Sequence, residues 1–281
     1  MKTICIKTNN ENAIEYLLKM LKDYNLEDVY FSCKKFKSFK NLFIHYKGSN
    51  LKIFLFNISE ILSFLILELY EKDIVSRILS TDYFYFNQAE KKEIMLKFDD
   101  LNYEDKETIG YKEEKLSQIF FDLLEQNNKL YLKGVITFRL SDYIHKLQNQ
   151  VDSAVNQYLI EKEYNEFVSL LRIYINTEHC KTNLVHLIYN DGSPTLLDEN
   201  KKIIKTDSNI LNAKYLSDIT FSDCDIALNT LLNLIPKKIY LHLIDNKIDE
   251  FITTLKLIFE NRIVLCTNSD QLSLGTDLFD N

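Results

Sequence analysis

Residues 138–189 read FRLSDYIHKLQNQVDSAVNQYLIEKEYNEFVSLLRIYINTEHCKTNLVHLIY, and this stretch decides the fold. Apolar residues recur at helical spacing from Leu140 to Tyr158 and again from Tyr164 to Ile175, which places each set on one stripe of an α-helix. The stripe loses its phase at 161–163, so the pattern predicts two helices, or one long helix broken or kinked there. We expect this helical pair to occupy residues 137–178.

A β-hairpin is predicted directly after the helical stretch. Residues 184–189 alternate in the manner of a strand, Asp191-Gly192-Ser193-Pro194 has turn composition, and Thr195-Leu196-Leu197 can return as a second strand. Two short strands around such a turn indicate a hairpin. We place it at residues 184–197.

Residues 138–197 also carry a particular order of residue types. The order is Phe138-Arg139-Leu140, Tyr143, Val151-Asp152, Tyr158-Leu159, Lys162-Glu163-Tyr164, Glu166-Phe167, Leu170-Leu171-Arg172 and Val185-His186. It resembles the YtxC-like family, which is associated with sporulation in endospore-forming Firmicutes. The resemblance implies a role in sporulation. It implies no assigned activity, cofactor or catalytic residue, so no site residue is carried over from it.

The whole chain is predicted to have a mixed α+β fold, in which the central long helical pair is flanked by small α/β sheet elements. We expect an N-terminal α/β region at 1–100, a polar connection at 101–115 and a C-terminal YtxC-like region at 116–281. The last region ends in an α/β tail at 215–267. A chain of 281 residues fits one large or two ordinary domains.

Local patterns predict further elements on both sides of the helical pair. On the N-terminal side we expect strands at Lys2–Thr8, Val29–Cys33, Leu42–Tyr46 and Leu51–Phe56, and helices at Asn10–Tyr24 and Ser59–Leu79. In the tail we expect strands at Ile219–Phe221, Lys238–Leu243 and Arg262–Cys266, and helices from Ser222 to Ile235 and from Asp249 to Glu260. The tail order is that of a small α/β layer.

Several features indicate a reduced, cytoplasmic protein. The first ten residues contain no apolar run of signal-peptide length. The most apolar stretch, Ile58–Leu69, contains Glu60 and Glu68 and is shorter than the ~20 residues of a membrane span, so we interpret it as a core helix. The five cysteines are scattered, with no CxxC pair, which does not fit a disulfide framework or a zinc ribbon.

The scarcity of glycine argues against nucleotide-binding loops. The chain has five glycines, where about 20 are expected at the usual ~7%, and none lies in a GxG or GxxxxGK arrangement. Such loops need glycine because the backbone must approach the phosphates closely. The sequence also has no GxSxG, HExxH or EF-hand motif. We therefore expect no cofactor.

Two small groups of reactive residues are candidates for metal binding or catalysis. Glu178-His179-Cys180 with His186 offers nitrogen and sulfur ligands over a short span, but adjacent ligands with no second pair are weak support for zinc. Cys224, beside a predicted helix start, could be a nucleophile if His242 or His186 lay nearby. Structural roles are favoured for both groups, and no metal is expected.

A lysine-rich stretch is the one candidate for an anionic partner. Aromatic residues interleave with Lys34, Lys35, Lys37 and Lys40, a composition that suits nucleic acid or lipid headgroups. The net charge of −7 and a total of only four arginines disfavour nucleic acid, because arginine supplies the planar fork that grips phosphate. A solvated strand edge is the favoured interpretation.

A corner of the helical pair is the preferred candidate for a protein partner. Aromatic and charged side chains cluster at Tyr158, Lys162, Glu163, Tyr164 and Glu166, which is the composition of a partner surface. The function favoured by the sequence is thus a non-catalytic protein-interaction factor in sporulation. Two alternatives stay open: an enzyme with an unrecognised active site, and a binder of nucleic acid or anionic surfaces through the lysine-rich stretch.

Overall fold

The computed structural model describes residues 1–104, 106–205 and 221–266. Its contacts divide the chain into two compact units, Met1–Ile160 and Glu161–Asn281. Each unit combines helices with a four-stranded sheet in the described part of the chain. The predicted α+β class is therefore confirmed.

The sheet of the first unit is built from strands that are distant in the sequence. Its strands are β1 (Lys2–Thr8), β2 (Val29–Phe36), β3 (Phe39–Tyr46) and β4 (Lys129–Tyr131). Their order is β2-β3-β1-β4, with β1 antiparallel to β3 and parallel to β4. Strands β2 and β3 form a hairpin, with Lys37 in the left-handed region at φ 53°.

Helix α1 (Glu11–Asp23) covers one face of this first sheet. Asn10 caps the helix by accepting a hydrogen bond from the backbone N–H of Ala13. Alternation along the strands turns every second side chain toward the helix, and these side chains are buried apolar residues. The core includes Ile4, Ile6, Leu42 and Ile44 from the sheet and Ala13, Ile14, Leu17 and Leu21 from α1.

A layer of helices follows the hairpin and completes the first unit. These are α2 (Leu51–Leu65), a π-helical turn (Ile66–Tyr70), α3 (Glu71–Thr81), α4 (Gln88–Glu104), α5 (Lys106–Gln126) and α6 (Leu132–Phe138). The next helix, α7 (Ser141–Thr177), begins in this unit, and the boundary between the units falls within it.

The strand predicted at Leu51–Phe56 is wrong, because these residues form the start of α2. Asn50 reads as a turn residue in the sequence, but its side chain accepts a hydrogen bond from the backbone N–H of Ile53 and caps the helix. Its own N–H donates to the Tyr46 hydroxyl at 2.9 Å. Turns and helix caps use the same residue types, so the sequence pattern was ambiguous here.

The segment Leu51–Thr81 is long and apolar enough to cross a membrane by length and composition, and half of its most apolar window is buried in the unit. A core helix of a soluble protein meets the same criteria. Its buried side chains include Phe54, Ile58, Leu62 and Ile66.

The stretch at 101–115, expected to be a connection between domains, differs in the structure. Residues of that stretch belong to α4 and α5, and the contacts divide the chain at Ile160 instead. Polar composition suggested a linker, but Lys and Glu are good helix formers and one glycine does not end a helix. Residues 161–163 likewise do not interrupt α7, which runs as one helix from Ser141 to Thr177.

The sheet of the second unit is mainly parallel. Its strands are β5 (Thr182–Asn190), β6 (Ser193–Leu197), β7 (Pro236–Leu243) and β8 (Ile263–Leu265), in the order β6-β5-β7-β8. Strands β5, β7 and β8 are parallel, and β6 is antiparallel to β5. Helices α8 (Asp223–Leu234) and α9 (Glu250–Phe259), followed by a 3₁₀ turn (Glu260–Arg262), complete the described part.

Local signals in this unit match the structure. The hairpin of β5 and β6 turns at Asp191 and Gly192, whose φ angles are 43° and 85°. Ser222 and Asp225 form the capping box expected at the start of α8. Residues 219 and 220 of the predicted strand and the beginning of the 215–267 tail lie outside the described residues, and Phe221 is described but is not part of a strand.

Candidate functional site

Among the residues that the structure describes, no helix of the first unit covers the second face of its sheet, which is called the open face below. It consists of the strand residues that point away from α1. These are Thr3, Cys5 and Lys7 of β1, Tyr30, Ser32, Lys34 and Phe36 of β2, Phe39, Asn41, Phe43 and His45 of β3, and Lys129 and Tyr131 of β4. All are exposed or half-buried, and none is Asp or Glu. The open face is thus cationic and aromatic.

At one end of the open face two rings contact a lysine, and a third ring lies on the neighbouring strand. The Lys7 Nζ lies 4.1 Å from the ring centroid of Phe39 and 5.8 Å from that of Tyr131. The two rings meet edge to face with centroids 5.8 Å apart. Phe36 is paired with Phe39 across the hairpin and is 66% exposed. The rings are held in place while their surfaces stay accessible.

The other end of the open face repeats this combination. The Lys47 Nζ lies 5.0 Å from the ring centroid of Tyr30, a residue that is 57% exposed. Thr3 Oγ1 and His45 Nδ1 are hydrogen-bonded at 3.0 Å, which fixes the imidazole plane. Phe43 lies on the same side of β3 as His45.

The lysine-rich stretch is divided between the two faces of the sheet. Lys34 belongs to the open face, and Lys37 lies in the hairpin turn. Lys35 and Lys40 are paired in register on the α1 side, where Lys40 contacts Glu11 at 3.0 Å. The hydrogen bond from Lys40 lowers the pKa of the Glu11 carboxyl. The four lysines therefore do not form one patch.

The predicted partner corner is also divided. Tyr158, in the first unit, is buried; its hydroxyl donates to Glu90 Oε1 at 3.2 Å. In the second unit the Tyr164 hydroxyl is hydrogen-bonded to Thr254 Oγ1 at 2.6 Å. Lys162 is half-buried, while the side chains of Glu163 and Glu166 are exposed. Only the two acids are thus fully available to a partner.

The second-unit part of α7 exposes an apolar stripe. Val168 and Ile175 pack into the core of the unit, but several large side chains on the neighbouring side of the helix do not. The exposed fractions are 57% for Phe167, 65% for Leu170, 58% for Ile173 and 41% for Tyr174. These four residues, with Glu163 and Glu166 one helical turn earlier, are called the α7 surface below.

Sequence reasoning did not separate this stripe from the buried one. Both stripes have helical periodicity, so their apolar residues merge into one pattern from Tyr164 to Ile175. The usable signal is an excess: apolar residues occupy more of the helix circumference than a single buried face requires.

The reactive residues of the second unit lie on opposite faces of its sheet. Cys224 donates a weak hydrogen bond to the carbonyl of Gly192 at 3.4 Å and lies near Tyr189 on the helix side of the sheet. His186 and His242 lie on the other face, with Nδ1 of the first 3.1 Å from Nε2 of the second. Burial raises the pKa of the Cys224 thiol, and nearby aspartates add to this. The cysteine and the histidines are not brought together.

The zinc candidates are separated as well. His179 and Cys180 are exposed between α7 and β5, and the Arg262 guanidinium donates to the Cys180 sulfur at 3.5 Å. His186 is instead in contact with His242. Among the residues that the structure describes, no group of three or more His, Cys, Asp or Glu has a metal-binding arrangement.

Two clefts lie in the first unit. One of about 420 Å³ between α2 and α5 is lined by acids and phenylalanines, including Glu60, Glu113, Phe64 and Phe121. Burial raises the pKa of the Glu60 carboxyl, and Glu113 raises it further. A second cleft, of about 270 Å³, lies beside Lys112 and Tyr143. Neither cleft contains the residues considered for catalysis above.

Comparison with known proteins shows the family to which the chain belongs, which the geometry of the site alone does not show. The model of the YtxC-like family matches residues 56–264. The chain belongs to the YtxC-like family. A YtxC relative from Bacillus subtilis (strain 168), described as an uncharacterized protein, is 22% identical over 203 residues, which cover 70% of this chain and 72% of that protein. No solved structure matches the chain.

One of the two surfaces lies within the residues that match the YtxC-like family, and most of the other lies outside them. The family match begins at residue 56, within α2, and ends at residue 264, so it includes all of α7 and all of the second sheet except Leu265. Strands β1, β2 and β3 precede it. The α7 surface is thus part of the region that this chain shares with the YtxC-like family, whereas most of the open face is not.

Proposed function

We propose that the protein is a non-catalytic, cytoplasmic binding factor of endospore formation, which acts by holding a partner protein on the α7 surface. The observation that carries the proposal is the exposed stripe of Phe167, Leu170, Ile173 and Tyr174. The link to sporulation comes from the family resemblance. Contiguous apolar side chains of this size on a helix are typical of interaction sites.

The chemistry of the partner follows from the two ends of the surface. Spacings of three and four residues place Glu163 and Glu166 on the same side of α7 as Phe167 and Leu170. Acids at the N-terminal end and apolar side chains beyond them suit an amphipathic helix with basic residues at one end. Charged rim residues set orientation, and the central apolar side chains supply most of the binding energy.

The chemistry of the reactive residues supports a binding role over catalysis. A nucleophilic cysteine needs a lowered pKa and a neighbouring base. Burial and nearby carboxylates instead raise the pKa of Cys224, and the histidines lie on the other face of the sheet.

The experiment is site-specific photo-crosslinking in sporulating cells of an endospore-forming host. A photoreactive phenylalanine analogue is placed at Leu170 in one strain and at Asn165 in another. Asn165 is the matched control because it is exposed and its position in the helical turn places it on the side of α7 away from the α7 surface. We expect one discrete protein adduct from position 170, none from position 165, and loss of the adduct when Phe167→Asp is added.

Equal labelling from both positions, or an adduct that survives Phe167→Asp, contradicts a specific α7 surface. The sporulation part of the proposal is tested separately by counting heat-resistant spores. Both deletion of the gene and the Phe167→Asp variant should lower the count, while Asn165→Asp should not. Normal spore counts in the deletion strain would contradict a role in sporulation.

A further inference from the structure

We propose that the open face of the first sheet binds single-stranded RNA. The inference concerns a different surface from the α7 surface and stands or falls independently of it. It rests on three properties of the open face: accessible rings, a cationic balance without acids, and neutral hydrogen-bonding groups between the rings.

The accessible rings come first. Tyr30 is 57% exposed, Phe36 66% and Tyr131 40%, although each lies on a paired strand that fixes its backbone. Single-stranded nucleic acids bind by stacking bases on such side chains, and a four-stranded sheet is a common platform for this. The exposed part of each ring leaves apolar surface in water, and that surface does not contribute to the stability of the chain alone.

Charge complementarity identifies the occupant as a polyanion. The chain has a net charge of −7, yet the open face carries Lys7, Lys34 and Lys129 and no carboxylate. Lys47 adds a fourth cation at the Tyr30 end. Lysines beside stacking rings can contact phosphates while bases lie on the rings. An apolar surface of a partner protein would not require a face that carries lysines and lacks carboxylates.

The two groups of rings allow several nucleotides to be bound. Phe39 and Phe43 are four residues apart on β3, so their Cα atoms are roughly 13 Å apart at the usual strand rise. The Phe36, Phe39 and Tyr131 group lies at one end, and Tyr30 and Phe43 lie at the other. A sheet platform of this kind typically stacks two or three bases.

Neutral polar side chains between the rings favour RNA over DNA. Asn41 lies on β3 between Phe39 and Phe43, and Ser32 and Thr3 occupy adjacent strands. Their amide and hydroxyl groups can donate and accept hydrogen bonds, which matches the 2′-hydroxyl that distinguishes RNA. The open face therefore offers stacking, phosphate contacts and sugar contacts together.

The test is fluorescence anisotropy with the full chain and a labelled short oligouridylate, between about 50 and 200 mM salt. We expect saturable binding that weakens with salt. With three phosphate contacts, the slope of log K against log salt should be about −2, at ~0.7 per contact for a single strand. The matching oligodeoxythymidylate and anionic phosphatidylserine vesicles are measured in parallel, and both should bind more weakly than the RNA.

Matched variants assign the binding to the open face. Phe36→Ala and Tyr30→Ala should each weaken binding by roughly 5- to 150-fold, the loss of one stacked base. Lys34→Ala should reduce the salt slope by about 0.7. The controls are Lys35→Ala, which removes the same charge from the α1 side, and Phe84→Ala, which removes a ring that is 74% exposed outside the sheet; both should bind as the native chain does.

Several results would overturn the proposal. Absence of RNA binding at low salt, or equal losses in the open-face variants and their controls, contradicts a site on this face. Equal affinity for the DNA oligonucleotide contradicts the assignment to RNA. Vesicle binding without RNA binding indicates a membrane surface instead. Thermal melts of each variant verify that the fold is kept, and Tyr30 and Phe36 lie at opposite ends of β2, so a local disruption would not affect both.

Discussion

In the described part of the chain the two sheets have four strands each, but the side chains on their outer faces differ. The described helices pack on the other, inner face of each sheet. On the first sheet the uncovered side exposes rings and lysines, including Tyr30, Lys34 and Phe36. On the second sheet the corresponding side holds His186 stacked against Tyr240 and His242, with both pairs of ring centroids 5.4 Å apart, and His242 is only 3% exposed.

Strand direction explains much of this difference. The second sheet is mainly parallel, and parallel sheets are normally buried on both faces, whereas antiparallel pairs such as those of β1, β2 and β3 tolerate a solvated face. The side chains show the same difference, since Tyr30 and Phe36 on the first sheet are more than half exposed whereas His242 on the second is buried. The difference shows that the outer face of the first sheet is accessible to a ligand and that the described outer face of the second is packed more closely.

The largest expected effects separate the inner from the outer face of the first sheet. Ile44→Ala removes a side chain that is 1% exposed and should cost about 2–5 kcal/mol of unfolding free energy, since it leaves a cavity. Lys34→Ala, on the outer face, should stay within about 0.5 kcal/mol. Urea denaturation of both variants measures this. A large cost for Lys34→Ala would mean that the open face is structural.

A smaller effect compares the same chemical change on the two faces of the second sheet. The Tyr189 hydroxyl donates to Asp249 on the helix side, so Tyr189→Phe should cost about 1.5–3 kcal/mol for a lost bond to a charged group. Tyr240→Phe, on the outer face, should cost less. Equal costs in denaturation would break the distinction between the faces.

The Asp249 contact also predicts a dependence on acid. Burial tends to raise the pKa of Asp249, but the hydrogen bonds from Tyr189 and from the Ile252 N–H outweigh it and lower the pKa. Because the folded pKa lies below the unfolded one, the contribution is present above the unfolded pKa and is lost as pH falls through the folded pKa. Tyr189→Phe should therefore lose less stability on acidification than the native chain.

The smallest expected effect concerns the histidine pair. Burial lowers the pKa of His186, and the charge of Lys201 lowers it further. The folded state thus favours the neutral imidazole, and stability should fall as pH drops below the unfolded value of about 6.5 toward the folded pKa. His186→Gln should flatten this acid limb in a series of thermal melts. Parallel pH profiles for the two proteins would show that protonation of His186 does not cause the loss of stability at low pH.

The sequence was most informative where one residue type has one local use. The turn at Asp191-Gly192 and the capping box at Ser222 and Asp225 were both predicted, because left-handed turns and helix starts require those residues. Asn50 has two uses, in turns and in caps, and the strand predicted after it was wrong. Periodicity found α7 but could not show which of its apolar residues lack a neighbour in the fold.

The open face could not be predicted from the sequence, because it depends on pairing between distant strands. The sequence places Lys34, Lys35, Lys37 and Lys40 in one group, and its net charge disfavours nucleic acid. Only the register shows that Lys34 joins Lys7 and Lys129, while Lys35 and Lys40 turn toward Glu11. The charge of one surface depends on which residues the fold brings together, and not on the net charge of the chain.

The most direct measurement is ultraviolet crosslinking of a short single-stranded RNA to the native chain, followed by mass spectrometry of the crosslinked peptides. We predict crosslinks at Tyr30, Phe36, Phe39, Phe43 or Tyr131, which compete away with unlabelled RNA. Crosslinks confined to peptides outside β1–β4, or crosslinks that persist under competition, would contradict the open face as the RNA-binding surface.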